Sequence, residues 1–229
     1  TFGGAFFASF PIFYATSFGG AYWLWMLILF TFIIQAISYE FRKKPSNFLG
    51  KKTYETFLFI NGLFGSLLIG VAVGIFFTGA EFSIDHLRLT SPADNIISRW
   101  ENPLHGLEAA ANIQNILLGL SVFFLARIQG ALYFINTIDD DAIYNNSRKQ
   151  VLYNSIPFLL VFLTFMVILL TKEGFAVNPE SKEVFMEPYK YLHNYLEMPL
   201  ILGFLIIGVL GVLGGIGATV FKVSRKGIW

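Results

Sequence analysis

The sequence predicts an all-α integral membrane protein with about five transmembrane helices. Five apolar blocks predict it first: Ala21–Tyr39, Phe57–Thr78, Ile113–Ile135, Val151–Leu170 and Leu200–Phe221. A helix rises about 1.5 Å per residue, so each block is long enough to cross a hydrocarbon core of about 30 Å. Composition is the second observation. Of 229 residues, 55% are hydrophobic and 14% charged, against about 25% charged in soluble domains. The third is placement, because nearly every charge falls between the blocks.

The ends of the blocks carry their own signals. Thr1–Ser17 is apolar but broken by Pro11, and reads as the end of an upstream helix or as an interfacial helix. Pro45 closes the first span, and Gly50 and Thr53 open the second. Asn112 is a candidate N-cap for the third. Asn154 and Pro157 are expected early in the fourth span, where a missing N–H matters least. Glycines at Gly70 and Gly74, and at Gly211 and Gly215, have the spacing that lets helices approach closely. Asp139, Asp140 and Asp141 read as a solvated helix exit. The chain starts without a methionine and stops just after a basic cluster, as expected for a piece of a longer protein.

Sidedness follows from lysine and arginine. The connections after the first and third spans, with the segment after the fifth, hold ten basic residues, including Arg42, Lys43, Lys44, Arg148, Lys149 and Arg225. The connections Gly79–Asn112 and Lys172–Pro199 hold five. The positive-inside rule then places the richer set, and the C-terminal end of the chain, in the cytoplasm. Tyr189, Tyr191 and Tyr195 suit an interfacial aromatic belt. A net charge of +1 gives no reason to expect nucleic acid. The absence of cysteine excludes disulfides, thiolate catalysis and cysteine-held clusters within this chain.

Candidate chemistry is sparse. His86, His105 and His193 all fall in the long connections or at a span edge, so none is placed to ligate a haem buried among these spans. Met26 and Met166 lie inside spans and read as packing. The glycines of 208–217 lie inside a span rather than after a strand, which excludes a nucleotide loop. Arg127 is the one charge well inside a span, and either meets a cavity or partner or snorkels to the interface. Gln129, Gln35, Asn61, Gln114 and Asn115 are candidates for hydrogen bonds across helices. Glu108, at a span edge, is a candidate for a proton or quinone-side role, against the plainer reading of a solvated edge residue. On these residues alone two other classes stay open: a multi-pass transporter or channel component, and a purely structural membrane anchor. The midplanes hold few ionisable groups and no internal repeat, which a transporter would ordinarily show.

One stretch of residues says more. Gly3-Gly4-Ala5-Phe6-Phe7-Ala8-Ser9-Phe10-Pro11, then Tyr14-Ala15-Thr16, Phe18 and Gly20, resembles subunit II of cytochrome bd quinol oxidase. In that family a GGALFAAFP-like segment precedes a YA…FSGFY stretch, a long apolar span and a short F-[DE]-[FY]-R-x-K exit. Here the exit reads Tyr39-Glu40-Phe41-Arg42-Lys43-Lys44. Gly65-Ser66, Gly70-Val71-Ala72-Val73-Gly74 and Gly79 continue the resemblance, and Asn102-Pro103 and Gln129-Gly130-Ala131 extend it less specifically. The first eighty residues or so carry most of it.

The resemblance implies two four-helix bundles, with 1–140 in a first bundle lacking its first helix and 141–229 beginning the second. It implies the non-haem-ligating subunit of a quinol:dioxygen oxidoreductase in the bacterial inner membrane. Haem b and haem d would belong to a haem-bearing subunit I, a quinone could bind this chain, and small single-helix accessory subunits are expected partners. The family's acidic GFD-type motif and its W-D-G-N-x-V-W-like segment are not in this sequence, so the family's proton-path carboxylate has no counterpart here.

Overall fold

In the computed structural model, residues 9–10, 17–45, 47–84 and 98–221 are described. The glycine-rich run 3–8, His86, Arg88 and the basic residues after Phe221 lie outside them. Among the described residues five helices are long and apolar enough to cross a membrane: α1 (Tyr22–Phe41), α2 (Lys51–Thr78), α3 (Ile113–Thr137), α4 (Asp141–Thr171) and α6 (Pro199–Val220). A shorter helix, α5 (Lys190–Glu197), precedes α6. The long connections are not plain loops. Strands β1 (Phe82–Ile84) and β2 (Ser98–Trp100) pair antiparallel with Ser83 opposite Arg99, and β3 (Gly174–Val177) pairs with β4 (Val184–Glu187) with Phe175 opposite Met186.

The chain divides into two compact units, Thr1–Gly119 and Leu120–Trp229, with the division inside α3. In the first unit, α1 packs on α2 through Leu24, Ile28, Leu68, Val71 and Ala72. No side chain caps the start of α1. The loop after β2 supplies the missing acceptor instead: the His105 carbonyl accepts from the Trp23 N–H at 3.3 Å. The Trp100 indole donates to the Gly19 carbonyl and its ring stacks on His105 at 4.3 Å. A Cβ on Gly106 would lie 2.4 Å from the Ala21 Cα, so only glycine lets the loop seat this closely. Asn102 shapes the loop by donating to Glu81 at 2.8 Å and accepting from the Leu104 N–H.

In the second unit Ile128, Ala131, Ile135, Val151 and Phe158 form the core between α3 and α4, with Ile216 and Val220 of α6 packed against it. Here two expectations change. Asp140 does not end a helix but begins one: its side chain accepts from the Ile143 N–H at 2.8 Å as the N-cap of α4. Hydropathy placed the fourth span at Val151, yet the helix starts at Asp141, because a capped helix runs past the point where its residues stop being apolar. Pro157 therefore lies well inside α4 rather than at its start, and leaves the Tyr153 carbonyl without its usual donor. Beyond the spans, Glu187 of β4 bonds Lys190 at 2.9 Å and His193 at 3.2 Å, fastening the second hairpin to α5. Lys190 first, then His193, holds the Glu187 carboxyl below its ordinary pKa.

Candidate functional site

The polar residues inside the helices divide into those that join helices and those that face open clefts. Asn115 of α3 is fully buried and joins. Its amide nitrogen donates to the Thr78 hydroxyl of α2 at 2.9 Å and to the Ala109 carbonyl at 2.8 Å. Gly74 makes room for it: a Cβ there would stand 2.9 Å from the Asn115 Cα. Gly119 is equally tight, with a Cβ falling 2.8 Å from the Leu67 carbonyl oxygen. The expected close approach at Gly74 is therefore present, built around a buried amide. Asn112 caps the start of α3 as its sequence position suggested, accepting from the Gln114 N–H at 2.9 Å. Asn61 is buried in α2 with an amide nitrogen that has no hydrogen-bond partner among the described residues.

Arg127 and Gln129 stand two residues apart on α3 and line different clefts. The Arg127 Nε donates to the Asn154 side-chain oxygen Oδ1 at 2.8 Å, and its Nη2 reaches the Gln150 Oε1 at 3.5 Å. Its guanidinium carbon lies 5.7 Å from the Phe123 ring centroid. This cleft, between α3 and α4, holds about 540 Å³. Gln129 is exposed and lines a second cleft of about 450 Å³ with Leu125, Leu132, Gly208, Gly211 and Gly215. Of the α6 pair Gly211 and Gly215, Gly211 makes no close approach within this unit. A Cβ on Gly208, Gly211 or Gly214 meets nothing within 4 Å, so within this unit they border open space and are not in close helix contact.

Glu108 sits in the 3₁₀ turn Leu107–Ala111 that leads into α3. One carboxylate oxygen accepts from the Gly106 N–H at 2.9 Å, and the other is buried without a hydrogen-bond partner among the described residues. It is thus half-buried and locally tied rather than simply solvated. Gln35 of α1 is half-buried and makes no hydrogen bond among the described residues. Sequence reasoning did not join Gln150 and Asn154 to Arg127. Folding α3 back on α4 about the Asp139–Asp141 turn would have matched them.

For a haem, the described residues offer no fitting ligand. His105 is stacked on Trp100 and His193 is bonded to Glu187, both outside the spans. Met26 and Met166 are half-buried inside the spans, each without a histidine on its own helix. No group of three or more His, Cys, Asp or Glu able to hold a metal ion occurs among the described residues.

The probable cytochrome oxidase subunit 2 of Haemophilus influenzae is 27% identical over 237 residues, covering 99% of this chain and 59% of its own length. Subunit 2 of the Escherichia coli K12 cytochrome bd-I ubiquinol oxidase is 27% identical over 91% of this chain and 55% of its own. Subunit 2 of the Bacillus subtilis cytochrome bd ubiquinol oxidase is 27% identical over 64% of this chain. The chain therefore spans a little over half the length of the first two. The profile of cytochrome bd terminal oxidase subunit II matches residues 1–229, and the chain belongs to that family.

Proposed function

We propose that this protein is the non-haem-ligating subunit of a quinol:dioxygen oxidoreductase in a bacterial inner membrane. The match of the whole chain to the subunit II family carries the reading. The complex would oxidise a membrane quinol and pass the electrons to dioxygen, whose four-electron reduction consumes four protons and gives water. Drawing those protons from the cytoplasm would store the energy as a proton motive force. Haem b and haem d, held by subunit I, supply the electron transfer and oxygen chemistry, and this chain is expected to show no catalysis alone. The C-terminal end of the chain lies on the cytoplasmic side in this reading, with 1–140 in one bundle and 141–229 starting the next.

What this chain contributes is contact and apolar space. Amides at bilayer depth without hydrogen-bond partners are costly, and Gln35 and Gln129 are two such amides on faces open to a neighbour. They suit contact with subunit I or with a single-helix accessory subunit. The cleft between α3 and α6, apolar except for Gln129, suits the tail of a bound quinone or the passage of dioxygen, itself an apolar solute.

The test is an optical spectrum of the complex purified from membranes through a tag on this protein. Reduced-minus-oxidised bands of b- and d-type haem are the expected result. A colourless, monodisperse preparation would overturn the reading and favour a transporter component.

A further inference from the structure

We propose that the cleft between α3 and α4 binds the phosphodiester headgroup of an anionic phospholipid, with Arg127 as its anchor. The depth of Arg127 comes first. Counted along α3 it lies ten residues before Thr137, about 15 Å into the helix. Its partners on α4, however, are Gln150 and Asn154. Before them α4 reads Asp141 to Gln150, with Asp141, Arg148, Lys149, three amides and a serine around Ala142, Ile143 and Tyr144, and its apolar run starts at Val151. At the level of Arg127 the polar start of α4 therefore lies beside an α3 that stays apolar to Ile135. The arginine stands near the edge of the hydrocarbon, where a long side chain reaches the interface and its lipid phosphates.

Its charge is held but not neutralised. No carboxylate lies within ion-pair distance of Arg127 among the described residues, and its partners are two neutral amides. Asn154 is itself fixed, because its amide nitrogen donates to the Gln150 carbonyl at 2.6 Å and so aims its oxygen at Nε. The Arg127 Nη1 donates to no acceptor among the described residues. That leaves a positioned fork of N–H groups, the geometry that matches phosphate oxygens.

The walls decide what kind of anion fits. Asn146 and Ser147 line the α4 side of the cleft with Ile143, and Gly130, Ala131 and Phe134 line the α3 side. A mostly apolar cleft with polar groups beside the arginine suits an amphiphile better than a free ion. The lining also contains no carboxylate to receive an ammonium group, which favours an anionic headgroup such as phosphatidylglycerol over a choline headgroup.

The experiment is native mass spectrometry of the protein, in the complex it forms in its own membrane, titrated with phosphatidylglycerol or phosphatidylcholine. The expected result is selective retention of phosphatidylglycerol, weakened about tenfold in Arg127→Gln, the usual scale for one charge-assisted contact. Gly130→Leu gives a second test that leaves the arginine in place. A Cβ there meets nothing within 4 Å, so the larger side chain fills the cleft without a clash at its root, and retention should fall similarly. Retention unchanged in both variants overturns the proposal. Dissociation of a partner subunit from Arg127→Gln, with lipid retention equal to wild type, also overturns it and assigns the arginine to a protein carboxylate.

Discussion

The two glycine-rich helices, α2 and α6, look alike in sequence and pack in opposite ways. In α2, Gly74 lies against the Asn115 backbone, and a third of its apolar window is buried. In α6, Gly208, Gly211 and Gly214 border open space, and 6% of the window is buried. Small residues at helical spacing permit close approach but do not cause it. Between apolar helices in lipid, the hydrophobic effect gives little drive, and association rests on van der Waals fit and hydrogen bonds across the interface. The first unit has such a bond, from Asn115 to Thr78. Facing the α6 glycines, the one amide is Gln129, which bonds to nothing among the described residues.

The comparison breaks most sharply on one pair of substitutions. Gly74→Leu should destabilise the purified protein by about 3 kcal/mol or prevent its accumulation, since the Asn115 backbone cannot retreat. Gly211→Ala should be neutral, or stabilise by up to about 1 kcal/mol through helix propensity. Equal damage from both, measured by denaturant titration in detergent, would mean that another helix covers α6 in the assembled protein.

Asn115→Leu comes next. It removes the donor to the Ala109 carbonyl and the interhelical bond to the Thr78 hydroxyl, which keeps its longer contacts to the Gly74 and Gly79 carbonyls, and should cost about 1–3 kcal/mol. Thr78→Val should cost less, because the amide keeps its bond to Ala109. If the two cost the same, the interhelical bond rather than the Ala109 bond dominates.

The smallest effect is expected where α6 does have a polar tie. Arg148 of α4 donates to the Thr219 carbonyl at 3.2 Å and to the Val220 carbonyl at 2.6 Å, placing a cation at the C-terminus of α6. Such a cation stabilises by about 0.3–1 kcal/mol when exposed and up to about 2 when partly buried. Arg148→Met should therefore lower the melting temperature modestly and loosen α6 first, read as faster amide exchange over its last turn. Uniform exchange across α6 would show that α6 is held elsewhere.

Span number and approximate depth were legible in the sequence because the cost of exposing backbone and charge to hydrocarbon is written residue by residue. The Asn112 cap was legible for the same reason: it is local. Helix ends were less so. Hydropathy sees where residues stop being apolar, while the Asp140 cap carries α4 ten residues further. The two strand pairs were missed because each is only three or four residues long, too short for an alternation to stand out.

The candidate residues show where local reading stops. From the sequence Arg127 is an intramembrane charge with a cavity, a partner or the interface open to it, and the structure supplies Asn154 and Gln150 of α4 as its partners. Gln129, two positions on, faces a different cleft, a matter of helix rotation that composition cannot express. The sequence by itself determined five apolar spans with nearly every charge outside them, and its motifs marked the family. The tertiary structure alone decided which glycines touch, which amides are satisfied and what Arg127 meets. The first depends on each residue's own transfer from water to lipid, and the second on which residues of other helices arrive beside it.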